Sequence, residues 1–260
     1  MTTKWNYFVG LWMVSLVLAH GIALAAGPDL RLVRAAADQD TQLVRVLLEE
    51  GIDINVSRAD GVTALLWAAH WDDHETVDLL LRAGADINAA EDHGVTPLAR
   101  ACENASVRMS QTLLSAGADP NVALTSGRTP LMIAARTGSL EVVRSLLAYN
   151  ADVNATTSET GATALMWALE ESHLDIVREL VGNGADVSVS TTKGFTPLMT
   201  TARQGKIELA KILISGGADV NDEGSDGTHA LPLSIMYGQY EFALFLLEEG
   251  ADPNATKGGV

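Results

Sequence analysis

RTPLMIAARTGSLEVVRSLLAYNADVN, residues 128–154, contains one complete structural unit. Thr129 is a strong helix N-cap, and Pro130 follows it at the position where a missing N–H costs nothing. Gly138 interrupts the run, so two short helices are predicted in place of one long one. In the second, Leu140, Val143 and Leu147 fall on one face with Val142 and Leu146 beside them, while Glu141 and Arg144 point to water. Asp152 and Asn154 then form a turn, their side chains bonding nearby backbone.

The five residues that close this unit recur along the chain. They read GIDIN at 51, GADIN at 84, GADPN at 117, NADVN at 150, GADVS at 184, GADVN at 217 and GADPN at 250, at steps of 33, 33, 33, 34, 33 and 33. GVTALLWAA (61–69), GVTPLARAC (94–102), GRTPLMIAA (127–135), GATALMWAL (161–169) and GFTPLMTTA (194–202) keep the same step. A fixed period of this length means one supersecondary unit stacked on copies of itself, because a single unit cannot bury its apolar face alone. Repetition within a chain marks what every unit needs for stacking. Function is therefore sought in the positions that vary.

Together these motifs closely resemble the ankyrin repeat over residues 28–257, as six full units and a degenerate first one. The resemblance implies an all-α repeat fold, a solenoid of paired antiparallel helices with β-turn or hairpin loops. The units are 58–91, 92–124, 125–157, 158–191 and 192–224, between an N-terminal capping repeat at 26–57 and a C-terminal one with a short tail at 225–260. Both ends depart from the Gly-Thr-Pro opening, as PDLRLVRAAADQD (28–40) and GTHALPLS (227–234), as terminal units often do. Within the units, the family's His after T-P-L is replaced by Met132, Met166 and Met199, and by Leu66, Ala99 and Pro232. That substitution predicts apolar packing between units where the family has hydrogen bonds. Trp67 and Trp167 share one repeat position and are predicted to be partly buried. Cys102 replaces the second Ala of its first helix and is predicted to be a buried apolar group.

The chain is 47% hydrophobic but only 5% aromatic, which suits closely packed short helices better than a globular enzyme core. The first 25 residues differ from the rest. Lys4 precedes the apolar run YFVGLWMVSLVLA (7–19), and Ala23-Leu24-Ala25 forms an A-x-A site, so 1–25 is predicted to be a cleavable signal peptide and Ala26 the first mature residue. A retained anchor is the alternative, but the run is short of the ~20 residues that a membrane span needs. With no Cys near the cleavage point and no twin Arg before the run, the expected route is general secretion to a periplasm. Cleavage removes one Lys and no carboxylate, taking the net charge from −16 to −17. A chain so acidic does not bind nucleic acid or anionic lipid through its overall field. A single Cys forms no internal disulfide, so stacking alone must hold the array.

HWDDHE at 70–75 is the one stretch that suggests metal chemistry, since His70 and His74 have an i, i+4 spacing with Asp72, Asp73 and Glu75 nearby. Aligned to the repeat, however, Asp72 falls where Gly138 and Gly205 separate two helices, which puts the two imidazoles on different helices. No G-x-S-x-G, H-E-x-x-H or phosphate loop occurs, and no cofactor is expected. The leading expectation is a non-enzymatic, monomeric module that binds one protein partner, modulating or inhibiting a periplasmic enzyme or toxin. The alternative is a metal-dependent or hydrolytic enzyme built around His70 to Glu75.

The resemblance implies that the partner meets the loop tips and the exposed ends of the first helices, on the concave face. The helix-end pairs are His70 with Trp71, Glu103 with Asn104, Arg136 with Thr137, Glu170 with Glu171, Arg203 with Gln204 and Met236 with Tyr237. The loop tips add His93, Arg128, Lys193 and Phe195. Trp71, Phe195 and Tyr237 are expected to be the exposed aromatic anchors, because aromatic and Arg side chains dominate interface energetics.

Overall fold

The computed structural model describes residues 28–255; the predicted signal peptide lies outside them. The described residues form fourteen helices and two isolated β-bridges. The first helices of the successive units are α1 (Arg31–Ala37), α3 (Ala64–His70), α5 (Pro97–Glu103), α7 (Pro130–Thr137), α9 (Ala164–Glu170), α11 (Pro197–Gln204) and α13 (Ala230–Met236). The second helices are α2 (Thr41–Glu49), α4 (His74–Arg82), α6 (Val107–Ser115), α8 (Leu140–Ala148), α10 (Leu174–Gly182), α12 (Ile207–Ser215) and α14 (Tyr240–Glu248). Each first helix packs on its own second helix and on the first helices of its neighbours, so the array has two helical layers with the core between and within them. None of these helices is long and apolar enough to cross a membrane.

The start of each first helix follows from one residue type. Thr63, Thr96, Thr129, Thr163 and Thr196 are extended, and each Oγ1 accepts from the backbone N–H three residues on, at 3.2–3.4 Å. The break between helices is a left-handed residue in every unit: Gln39, Asp72, Ala105, Gly138, Ser172, Gly205 and Gly238, with φ between +52° and +85°. This common backbone explains the sequence alignment of Asp72 with Gly138. Gly138 is required for a second reason, since a Cβ there would lie 2.7 Å from the imidazole of His173 in the next unit.

The apolar residues that replace His fill the interior: Met132 and Met199 are 1% exposed, Met166 5%, Leu66 3% and Ala99 0%. Pro232, in the last unit, is half-buried. In α8 the buried residues are Val142, Val143 and Leu146, with Leu140 and Leu147 half-buried at the margins. The predicted stripe is thus shifted by a residue, because α8 packs against α7 and against both α6 and α10 and centres its apolar arc between those neighbours.

The five-residue signature does more than turn the chain. Its Asp closes the local turn, as Asp152 Oδ1 accepts from the N–H of Asn154 at 2.9 Å. Its Asn reaches forward instead. The Oδ1 atoms of Asn55, Asn88, Asn121, Asn154 and Asn221 accept from the N–H of Asp86, Asp119, Asp152, Asp186 and Asp252 respectively, at 2.8–2.9 Å. Asn121, Asn154 and Asn221 also donate from Nδ2 to the carbonyls of Asn150, Gly184 and Gly250. Ser188 stands in the Asn position and turns its hydroxyl back onto Asp186 Oδ1 at 2.7 Å, which breaks the ladder at that one junction. Sequence reading assigned these side chains to local turns and missed the link between units.

The loops between units form narrow fingers. Val62 and Arg58, Val95 and Glu91, Arg128 and Leu124, and Phe195 and Thr191 are joined across each finger by backbone hydrogen bonds, and neighbouring fingers are tied by Asp92 to Asp60, Thr125 to His93 and Thr192 to Thr160. At the far end of the array, Ile235, Tyr240, Leu244 and Leu247 are 41–67% exposed. A polar outer face is the usual way to close a solenoid. Here the outer face of the last unit is apolar: Leu244 stands where earlier second helices carry Arg144, Arg178 and Lys211.

Candidate partner-binding face

At the ends of the first helices, the varied residues divide into those that hold the stack and those that face water. Trp71 is 45% exposed, yet its indole N–H donates to the Ala37 carbonyl of the preceding unit at 3.0 Å. Asn104 donates in the same direction to His70 O at 2.9 Å, Thr137 to Cys102 O at 3.2 Å and Gln204 to Glu170 O at 3.3 Å. Trp71, Asn104 and Gln204 thereby satisfy carbonyls that a helix C-terminus leaves without an intrahelical partner, while Thr137 adds a bond to a carbonyl that the backbone N–H of Ala105 already reaches. Glu171 carries no donor and Tyr237 is 51% exposed; in their units the bond comes from residues two places on. His173 Nε2 lies 3.2 Å from Arg136 O, and Gln239 Nε2 donates to Arg203 O at 3.5 Å. A position that differs in every unit therefore performs one stacking task by several chemistries.

Charge pairs claim further residues. Glu103 binds Arg100 at 2.8 Å, Glu170 binds Arg203 at 2.6 Å, and His93 lies 3.6 Å from Glu91. Arg128 Nε donates to Ser126 Oγ at 3.2 Å. The Lys193 side chain is exposed and makes no ion pair or hydrogen bond among the described residues, and Met236 is 56% exposed. Phe195 corrects the expectation of an exposed aromatic: it is half-buried and packs against the core, because its finger folds down over α11.

His70 and His74 terminate α3 and start α4, as the alignment indicated. The His70 ring packs edge-on to Trp67 and Trp71, while His74 Nε2 is 3.7 Å from Asp72 Oδ2. Among the described residues no group of three His, Cys, Asp or Glu could hold a metal ion. Cys102 is fully buried, and burial pushes its thiol up to about 12, so it stays protonated and is no nucleophile near neutral pH.

Two clefts open between fingers and first helices, and they occupy the same place in units three steps apart. One, of about 310 Å³, is walled by Trp67 with Asp60, Val62, Leu66, His70, Glu91 and Arg100. The other, of about 380 Å³, is walled by Trp167 with the matching residues Thr160, Ala162, Met166, Glu170, Thr191 and Thr200, each 100 positions on, and by Lys193, Phe195 and Arg203. Both Trp residues are half-buried, as their shared repeat position predicts, and their open faces line these clefts. The Arg136 guanidinium sits over the Trp167 ring, 5.7 Å from its centroid. The shared Trp at 67 and 167 was visible in the sequence, but its access to solvent depends on the small Val62 and Ala162 in the fingers opposite, which periodicity does not reveal.

A stack of two-helix units, with a finger-and-helix face that changes from unit to unit, defines the class of helical repeat scaffolds. The family model for ankyrin repeats in three copies matches residues 32–124, 111–191 and 183–257, and the chain belongs to that family. Ankyrin repeats are in general protein–protein interaction modules. Among solved structures, the human ASB11 ankyrin repeat domain is similar with a TM-score of 0.72 and 28% identity, covering 85% of this chain and 98% of that one. The ankyrin repeat domain of Bcl-3, a member of the IkappaB protein family, has a TM-score of 0.74 and 25% identity, covering 84% and 97%. No curated protein sequence matches the chain significantly.

Proposed function

We propose that the protein is an exported, non-enzymatic binding module that holds one protein partner on its concave, finger-side face, and that its role is to modulate or inhibit that partner in a periplasm. The observation that carries this reading is the Trp167 cleft with Arg136 stacked on its wall. It is an open aromatic surface within a chain of only 5% aromatic residues, among positions that vary while stacking is satisfied elsewhere. Aromatic and Arg side chains in such settings dominate interface energies at about 2 kcal/mol or more each. Export rests on the Lys4, apolar and Ala23-Leu24-Ala25 pattern.

Capture of partners from periplasmic extract, followed by titration of the identified partner, tests the binding site. Alanine at Trp71, Phe195 or Tyr237 is expected to weaken the complex at least about tenfold in one or more cases. Unchanged affinity for all three would place the interface away from this face. Trp71→Ala is also expected to cost about 1 kcal/mol of stability, since it removes the bond to Ala37, so affinity is measured well below the melt. For export, N-terminal sequencing of the purified protein is expected to begin at Ala26; Met1 intact in a membrane fraction would contradict cleavage.

A further inference from the structure

The two Trp clefts share a plan and differ in charge. Around Trp67, Arg58 pairs with Asp60 at 3.1 Å, and Arg100 pairs with Glu103 at 2.8 Å and approaches Glu91 at 3.9 Å. Every cation there has an acidic neighbour, and Asp60, Glu91 and Glu103 outnumber Arg58 and Arg100. Around Trp167 the three charged positions 60, 91 and 100 are matched by Thr160, Thr191 and Thr200, and Glu103 is matched by Arg203. Glu170 is the one carboxylate lining this cleft; it is held by Arg203, which leaves Arg136 and Lys193 without an acidic partner among the described residues. In a chain of net charge −16, the Trp167 cleft is thus a local cationic site with an apolar floor of Met166, Trp167 and Phe195.

We infer that the Trp167 cleft takes one bulky apolar side chain of the partner, carried on an extended acidic segment whose carboxylates meet Lys193, Arg136 and Arg203. This inference rests on the finger-side binding face and adds the chemistry of what binds there. The volume, about 380 Å³, suits one large side chain and not a folded element. The cations at the rim favour carboxylates beside that anchor, while the acidic surroundings of Trp67 repel the same segment. The charge difference therefore fixes the position of the acidic stretch along the array.

Selection of a displayed library of random linear peptides on the protein tests this. Enriched peptides are expected to carry an aromatic or large aliphatic residue next to Asp or Glu. Their synthetic forms are expected to bind about tenfold more weakly to Trp167→Ala, and several-fold more weakly to Lys193→Glu and to Thr160→Asp. The last two positions are exposed, so their variants keep the fold, which a thermal melt verifies. Trp67→Ala is expected to leave affinity unchanged. Peptides that bind but lose affinity only on Trp71 or Tyr237 substitution, or that carry basic flanks, overturn the Trp167 assignment and leave the finger-side face standing. Peptides unaffected by any of these changes overturn both, and a library that yields no binder overturns the acidic segment.

Discussion

Met132→Asp is expected to lower the midpoint of thermal unfolding by about 10–15 °C. An unpaired buried charge costs about 3–5 kcal/mol, and each kcal/mol shifts the midpoint of a domain of this size by about 2–4 °C. Met132 is 1% exposed at the start of α7, in the middle of the stack, where α5 and α9 close over it. The deficit also has a pH signature. The buried carboxyl would have its pKa raised, so the folded variant keeps its proton while the unfolded chain loses it above about pH 4. Stability relative to the parent therefore falls as pH rises from the unfolded pKa towards the folded one, and the loss is larger at pH 8 than at pH 5. Met132→Leu, of similar volume, is expected to cost less than about 1.5 kcal/mol. Melts of the two variants at both pH values check the claim; equal melts at every pH would show that the column is open to water.

That column was legible because burial at a repeat position is decided by what all units share. Thr129 as N-cap, Gly138 as the break and the apolar residue three places after the cap follow from local rules, and five copies of the Thr cap with an apolar residue three places on reinforce one another. The finger-side face was legible only as a set of positions. Trp71, Asn104, Thr137 and Gln204 differ in chemistry, and variation alone suggested contact with a partner. In the structure all four bond the preceding unit. Side chains as unlike as indole, amide and hydroxyl bond carbonyls at the end of the preceding first helix, so sequence diversity at that place is compatible with a uniform structural task. Phe195 shows the complementary case, a residue at a loop tip whose finger packs it onto the core.

The clefts escaped sequence reading for a geometric reason. Each is formed by side chains from two successive units, with Trp167 and Glu170 on α9, Thr200 and Arg203 on α11, and Thr191 to Phe195 on the finger between them. Pattern within one unit cannot report a space between two. Comparison of positions 100 apart does so once the register is known, because it shows that Asp60, Glu91 and Arg100 are all replaced by Thr.

The signature turns offer a test of opposite signs. Asn121→Ala is expected to destabilise the array by about 1–3 kcal/mol, because its side chain makes two bonds to the following unit and leaves the N–H of Asp152 and the carbonyl of Asn150 without that partner. By the same reasoning Ser188→Asn is expected to stabilise by about 0.5–1.5 kcal/mol, a rise of about 2–4 °C in the melt. At that junction the N–H of Asp219 meets no side-chain acceptor from the preceding unit among the described residues, whereas Asn154 and Asn221 accept from Asp186 and Asp252 on either side. The substitution sacrifices the Ser188 hydroxyl bond to Asp186, but the backbone N–H of residue 188 still donates to that carboxylate at 2.8 Å, so the local turn survives. In a stacked array, stability is close to a sum of unit and neighbour terms, so the two changes lie far enough apart to add. The double variant should melt near the sum of the single shifts. A Ser188→Asn variant that melts at or below the parent would mean that the Asn ladder accompanies stacking without contributing to it, and the repeated five residues would then be turn formers alone.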